Sequence, residues 1–448
     1  MIVGRTSVFW LAVAGMAFVA SAGEVRYVAA NGDDANDGLT EKTAWRTVAR
    51  LAKGLPAGGE GRLRRGDVFY GGRVTLRPGP DANHRTVLTA WGKGPKPVLS
   101  AYLLPSCSPT AWKPVGTNLW AYAPKADKGL RGNVFDVNGN IGFLKVDGRI
   151  FARKFFRLGQ LSRQWDFFDD HETLTVWSEK NPAEMTKDLK LAPNVRGISF
   201  VNHLEVRDIE VRGTGGHGIS GVGCDIRIIG CGFHEIGGSH LPGHGNGTSR
   251  YGNGIECWAG SRDVLVKGCR ISDVYDVAFT MQGPNPPHSW ENIHVEDCEI
   301  VRCTQAIEIW AKKCQPGIGF RNCTFERNLC VDTSRNWGYD VRPDKDNGTP
   351  LLLYSMETDT CDLTVRGNRF VNSRGALVCF WRGLGTLPEG YRIVGNTIEG
   401  EADAPICRQS GKNPATSAAR ERKIRAENTF VVRRTVSTSA PTFVGVGI

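Results

Sequence analysis

The residues best placed to do chemistry in this chain are two glutamates inside a repeated phrase. Gly-Ile-Glu-Cys-Trp-Ala runs from Gly254 to Ala259, and Ala-Ile-Glu-Ile-Trp-Ala from Ala306 to Ala311. Each copy alternates apolar and polar residues, the pattern of a strand with one buried face. With Ile255, Cys257, Ile307 and Ile309 turned inward, Glu256 and Glu308 share the opposite face with Trp258 and Trp310. A carboxyl pair can supply a general acid and a general base. An indole beside each offers a flat apolar surface for a sugar ring. Asp276 opens the segment between the two phrases, Asp276 to Met281, which is expected to set Phe279 beside the glutamates.

The spacing of the carboxylates would decide the chemistry. On strands two coils apart, Glu256 and Glu308 have Cα atoms about 9–10 Å from each other. Side chains leaning together then reach the ~6.5–9.5 Å carboxyl separation of an inverting glycosidase. Asp276, closer to either glutamate, would instead give the ~5 Å of a retaining mechanism. Both readings stay open at this level.

Long segments between the coils should wall this face, because functional groups concentrate on loops held by a rigid scaffold. They carry Tyr251, His244, His288, Trp337, Asp340 and Arg342 as candidates for contact with substrate. His240 and His244 lack a regular element to align them and a third ligand nearby, so no metal site is expected there. Asp33, Asp34, Asn36 and Asp37 could hold calcium, as could Asp344, Asp346 and Asn347. A turn built from side-chain to backbone hydrogen bonds is the simpler account of each cluster. No cofactor is required.

The element that must position these residues is a repeat. Six-residue units recur at Val206 to Val211, Ile228 to Phe233, Val266 to Ile271, Val295 to Ile300, Phe320 to Phe325, Val365 to Phe370, Ile393 to Ile398 and Arg425 to Phe430. Their fourth positions read Ile209, Cys231, Cys269, Cys298, Cys323, Asn368, Asn396, Asn428. Variable spacing around a fixed phrase indicates one coil with loops of different size. A column of Cys passing into Asn indicates small side chains stacked from coil to coil, so the aligned cysteines should be buried and free of disulfides.

Other features frame the repeat. A charged Arg5, an apolar run from Val8 to Val19 and Ala20-Ser21-Ala22 form an export signal, too short to span a bilayer. Without it, 55 Lys and Arg face 46 Asp and Glu, a net +9. That balance suits either an acidic polysaccharide or oligosaccharide or simply a soluble basic surface, and no nucleic-acid module is present. A helix from Thr43 to Lys53 is expected to plug one end of the stack. Between Pro105 and Ala192, short alternating runs and Trp112, Trp120, Trp165 and Trp177 indicate an antiparallel β insertion whose tryptophans form a core. A basic segment beyond Cys407 should supply the last coil and cover the far end.

The opening Tyr-Val-Ala-Ala-Asn-Gly-Asp-Asp-Ala-Asn-Asp-Gly (27–38), the stretch Arg-Arg-Gly-Asp-Val-Phe-Tyr-Gly-Gly (64–72) and the recurring Gly-Cys and Gly-Asn coils resemble the exported right-handed parallel β-helix proteins related to pectate lyases. The Trp-rich insertion is similar to one in carbohydrate-active β-helix enzymes. Gly243-His244-Gly245 occurs without the Asn-Thr-Asp and Asp-Asp motifs of polygalacturonases, so that mechanism is not carried over. The resemblance implies an all-β fold, a right-handed parallel β-helix, divided as signal 1–22, cap and first coils 23–104, insertion 105–192 and main helix 193–448. It implies an exported monomer acting on glycans. Three functions are compatible: a glycoside hydrolase using Glu256, Glu308 and Asp276; a polysaccharide lyase using Lys312 and Arg342; and a glycan-binding protein without turnover.

Overall fold

A computed structural model describes residues 23–244, 247–340, 342, 347–381, 388–400, 405–410 and 418–432. The expected export signal, Gly245, Asp344, Asp346 and residues 411–417 and 433–448 of the basic segment lie outside the described residues.

The described chain winds into coils of three short strands. The first sheet has ten strands, from Val25–Val28 to Tyr391–Val394. The second also has ten, from Val68–Tyr70 to Thr429–Val432, and the third has eight, from Ile198–Ser199 to Cys407–Ser410. Successive coils pair in parallel, so equivalent residues stack along the axis. In the first sheet Ile228, Val266, Val295, Phe325, Val365 and Ile393 form one continuous inward row. This row belongs to a single apolar core running the length of the coil.

The turn between the first and second sheets carries the expected ladder, with one correction. Cys269 donates its backbone N–H to Cys298 Sγ (3.4 Å), and Cys298 donates to Asn328 Oδ1 (2.9 Å). The chain of bonds continues from Asn328 to Asn368, Asn396 and Asn428, each backbone N–H reaching the next side-chain oxygen at 2.9 Å. Asn328, not Cys323, therefore holds the fifth position. Cys323 sits five residues earlier within the strand Phe320–Glu326 and is buried in the core. Both six-residue phrases begin with Phe and match the repeat equally well, and the pairing of Val295 with Phe325 decides between them. The residue before every ladder position except Asn428 is left-handed, which explains why Gly230, Gly268, Gly367 and Gly395 recur there. All 13 cysteines are unbridged. Burial pushes the Cys257, Cys303 and Cys330 thiols upward, away from reactive thiolate.

Thr47 caps the helix Val48–Gly54, whose Val48 and Leu51 close the first coil. The acidic cluster before it is a turn, as expected. Asp34 accepts from Arg46 N, Thr47 N and Thr47 Oγ1, and Asp37 accepts from Leu39 N and Thr43 Oγ1.

The insertion leaves the coil after Val98–Ser100, where a strand of the third sheet would follow, and the chain returns at Ile198–Ser199. It folds into a five-stranded and a four-stranded antiparallel sheet. Trp112 and Trp165 are buried in its own core. Its outer surface packs on turns that precede the third sheet. Tyr102 donates to Glu235 (2.5 Å), Lys145 pairs with Glu235, and Asn140 brackets the backbone of His240.

The ladder makes a quantitative expectation. Asn368→Ala removes donors to Phe325 O and Asn396 Oδ1 and leaves two groups of Asn328 without their acceptor. It should cost about 2–4 kcal/mol, read as a lower urea midpoint at unchanged m-value.

Candidate active site

The third sheet sets the glutamates in one row. Pairing runs Ser220, Glu256, Thr280, Glu308, Leu352, so the glutamates lie on the same face two strands apart. Their Cα separation is then about 9–10 Å. Ile255 and Cys257 point into the core, as do Ile307 and Ile309. The residue between the glutamates is Thr280. Phe279 pairs with Ile255 and Ile307, faces inward and is fully buried, so it lines no substrate site. Either Phe279 or Thr280 was compatible with alternation in an apolar segment; the register selects Thr280.

The glutamates are not ordinary surface acids. Glu256 is 4% exposed and Glu308 8%. Two donors converge on Glu256 Oε2, Asn253 Nδ2 at 2.9 Å and Gln282 Nε2 at 2.7 Å, and His217 Nε2 lies 3.3 Å from the same oxygen. Asn253 also donates its backbone N–H to His217 Nδ1 (3.1 Å), which leaves the imidazole proton on Nε2, facing the carboxylate. Burial lowers the His217 pKa, favouring this neutral form. Thr280 donates to Gln282 Oε1 (3.4 Å), aiming its amide NH2 at Glu256. Tyr251 packs edge-on against His217 with ring centroids 5.0 Å apart, and its hydroxyl donates to Asn194 Oδ1 at 2.6 Å.

A row of aromatic side chains runs beside the glutamates, two residues further along each strand. Trp258, Gln282, Trp310, Tyr354 and Trp381 are in register, and all are partly exposed. Trp258 meets Trp310 edge-on at 6.1 Å, and Trp310 meets Tyr354 at 5.9 Å.

Other candidates have different places. Asp276 lies four residues before Thr280, beyond the bend at Tyr275, and its Oδ1 is held by both terminal nitrogens of Arg342 at 3.0 Å. Arg342, its side chain 1% exposed, also lies over the Tyr275 ring at 5.0 Å, so it grips protein rather than ligand. Trp337 is a correction as well. It is buried against Phe143, Phe151 and Tyr275, and it joins the insertion to the coil. Asp340 is half exposed and pairs with Arg374 at 3.4 Å. His288 lines a separate cleft of about 560 Å³ with Arg262, Glu291 and Arg321. His244 is exposed in the turn after His240.

Sequence reasoning missed His217, Asn253 and Gln282. Gln282 carried a signal, since it stands in the aromatic row where two tryptophans flank it. Nothing local marked His217.

These residues are assembled by coils whose three-sheet winding is now plain. Residues 197–342 match the family described as the right handed beta helix region. The fold is a right-handed parallel β-helix. Solved structures with similar backbones include XylC with xylose, at 11% identity and a TM-score of 0.49, covering 91% of this chain and 82% of that one. A structure described as a glycoside hydrolase is similar at 10% identity and a TM-score of 0.44, with coverages of 93% and 98%. The GH136 lacto-N-biosidase from Eubacterium ramulus is similar at 13% identity and a TM-score of 0.40, with coverages of 92% and 68%. No curated protein matches the sequence. Among the described residues of this β-helix, no helix is long and apolar enough to cross a membrane.

The buried histidine links the site to pH. Unfolded His217 titrates near 6.5, whereas the folded residue titrates lower. Its contribution to stability is therefore complete above about pH 6.5 and is lost as pH falls through the folded value. The stability gap between the wild type and His217→Gln, from urea midpoints, should narrow between pH 7.5 and pH 5.

Proposed function

We propose that the protein is an exported glycoside hydrolase, with Glu256 and Glu308 as its carboxylate pair and the Trp258–Trp310 row as its sugar platform. The observation that carries this reading is the placement of two nearly enclosed glutamates on one row with a single small residue between them. Their two-strand spacing, about 9–10 Å between Cα atoms, leaves room for a water between one carboxyl and the sugar, as inversion requires.

The hydrogen bonds suggest which glutamate does what. An oxygen that accepts from two amide donors, with His217 Nε2 3.3 Å away, has no remaining position for a proton of its own. Glu256, so held, is the base that draws a proton from water through Oε1. Glu308 then protonates the departing glycosidic oxygen. Asp276, committed to Arg342, is a positioning residue for the surrounding loop.

A lyase draws less support from the same geometry. Its proposed agents are Arg342, buried against Asp276, and Lys312, exposed beyond Trp310 at the end of its strand.

Glu256→Gln and Glu308→Gln should each lower hydrolysis of a natural glycosidic bond by about 10²–10⁴-fold, on a panel of xylan-type, fucosylated and uronate-containing glycans. A glycosyl fluoride separates the roles, because fluoride leaves without a proton. Glu308→Gln should retain most activity on it, and Glu256→Gln should not. Proton NMR of the first-formed product should show inverted anomeric configuration. Ultraviolet absorbance from an unsaturated uronate would instead favour the lyase, and wild-type turnover in both variants would sink the proposal.

A further inference from the structure

Away from the glutamates, the insertion and the coil meet at a cluster that neither element could form alone. Asp169 ends the strand Phe167–Asp169 of the insertion, and His171 follows in a left-handed turn. His240 comes from the strand Ser239–His240, which pairs with Arg250–Tyr251 on the loop leading into the glutamate site. His171 Nε2 lies 3.0 Å from His240 Nδ1, and Asp169 Oδ1 lies 3.6 Å from His240 Nδ1 and 3.9 Å from His171 Nε2.

We propose that Asp169 Oδ1, His171 Nε2 and His240 Nδ1 form a binding site for a divalent transition metal of the zinc class, which clamps the insertion to the loop that carries Tyr251 and Asn253. A triangle with sides of 3.0, 3.6 and 3.9 Å has a circumradius of about 2.05 Å. A single ion can therefore lie at ordinary Zn–N and Zn–O bond length from all three atoms. Two imidazoles and one carboxylate suit zinc and its neighbours rather than calcium or magnesium, which prefer oxygen.

The surroundings are those of a built site. The Asp169 side chain is fully buried, and its Oδ1 has no hydrogen-bond donor. Oδ2 is fixed by the ammonium of Lys154 at 2.5 Å, which turns Oδ1 toward the histidines. Lys154 is itself anchored on Ile141 O at 2.6 Å. His240 is pinned through its backbone, Asn140 accepting from its N–H and donating to its C=O, both at 2.9 Å. Support of this kind orients metal ligands. Half of the His171 side chain is exposed, which opens the cluster to a water as fourth ligand. Lys154 and Arg250 are the cations nearest the cluster. Arg250 is occupied by Gly238 O and Gly142 O and lies over the Tyr275 ring.

The site is independent of the hydrolase reading, so its test reads binding and not turnover. The purified full chain is stripped with a chelator and titrated with Zn²⁺ by calorimetry, and with Co²⁺ followed by visible absorption. The expected result is one ion per chain, with the intense d–d bands of four-coordinate cobalt and a raised Tm. His171→Ala, at an exposed position where folding is not at stake, should weaken binding at least 10-fold, and His240→Ala should do the same. His244→Ala, in the adjoining turn, should leave it unchanged. No stoichiometric binding by folded wild type, or equal binding in the His171 and His240 variants, would overturn the site.

Discussion

Parallel pairing between successive coils is the constraint on which everything else depends. Each backbone hydrogen bond fixes a coil at one strand spacing from the last, so a side chain in one coil lies beside its equivalent in the next. Whatever chemistry a row holds follows from that register. The same rule stacks Ile228 through Ile393 in the core, the Asn ladder in the turn and the glutamates on the third sheet. A slip of one residue would move Glu256 into the core and Cys257 out. The apolar interior and the buried turn amides both oppose such a slip.

The insertion docks against one side of the coil, and Asn194, just before the chain rejoins it, accepts from the Tyr251 hydroxyl beside the site. The insertion lies between the second-sheet strand Val98–Ser100 and the third-sheet strand Ile198–Ser199 of one coil and then spreads over the turns that precede the rest of that sheet. Trp337, Phe143 and Tyr275 make this contact apolar, while Glu235 and His240 make it polar. The loop from His240 to Asn253 is thereby held at both ends, against the insertion and against the strand Ile255–Trp258. Asn253 and His217 reach Glu256 from that fixed loop and its neighbouring coil. Glu256 is enclosed by Asn253, Gln282 and His217, all of them residues of the coil itself.

The misread positions share a cause. Cys323 and Phe279 each sit in a segment where two neighbouring phrases satisfy the same local pattern, and only the partner strand distinguishes them. Trp337 and Arg342 have types suited to sugar binding, but those types serve equally well in a packed interface or a buried ion pair. His240 lacked ligands because its partners are about 70 residues away in sequence, on a different sheet system. Periodicity reports which face a residue occupies. It does not report what will cover that face.

By itself the sequence determined the coil, its ladder of small side chains, the capping helix, the antiparallel insertion and the shared outward face of Glu256 and Glu308 with Trp258 and Trp310. Those follow from alternation and repetition, which are local properties of a strand that must bury one side. Only the tertiary structure decided that Thr280 separates the glutamates, that His217, Asn253 and Gln282 hold one of them, and that Asp169 and His171 meet His240. These are contacts between segments far apart in the chain, set by register and by where the insertion docks, and short-range patterning carries no record of either.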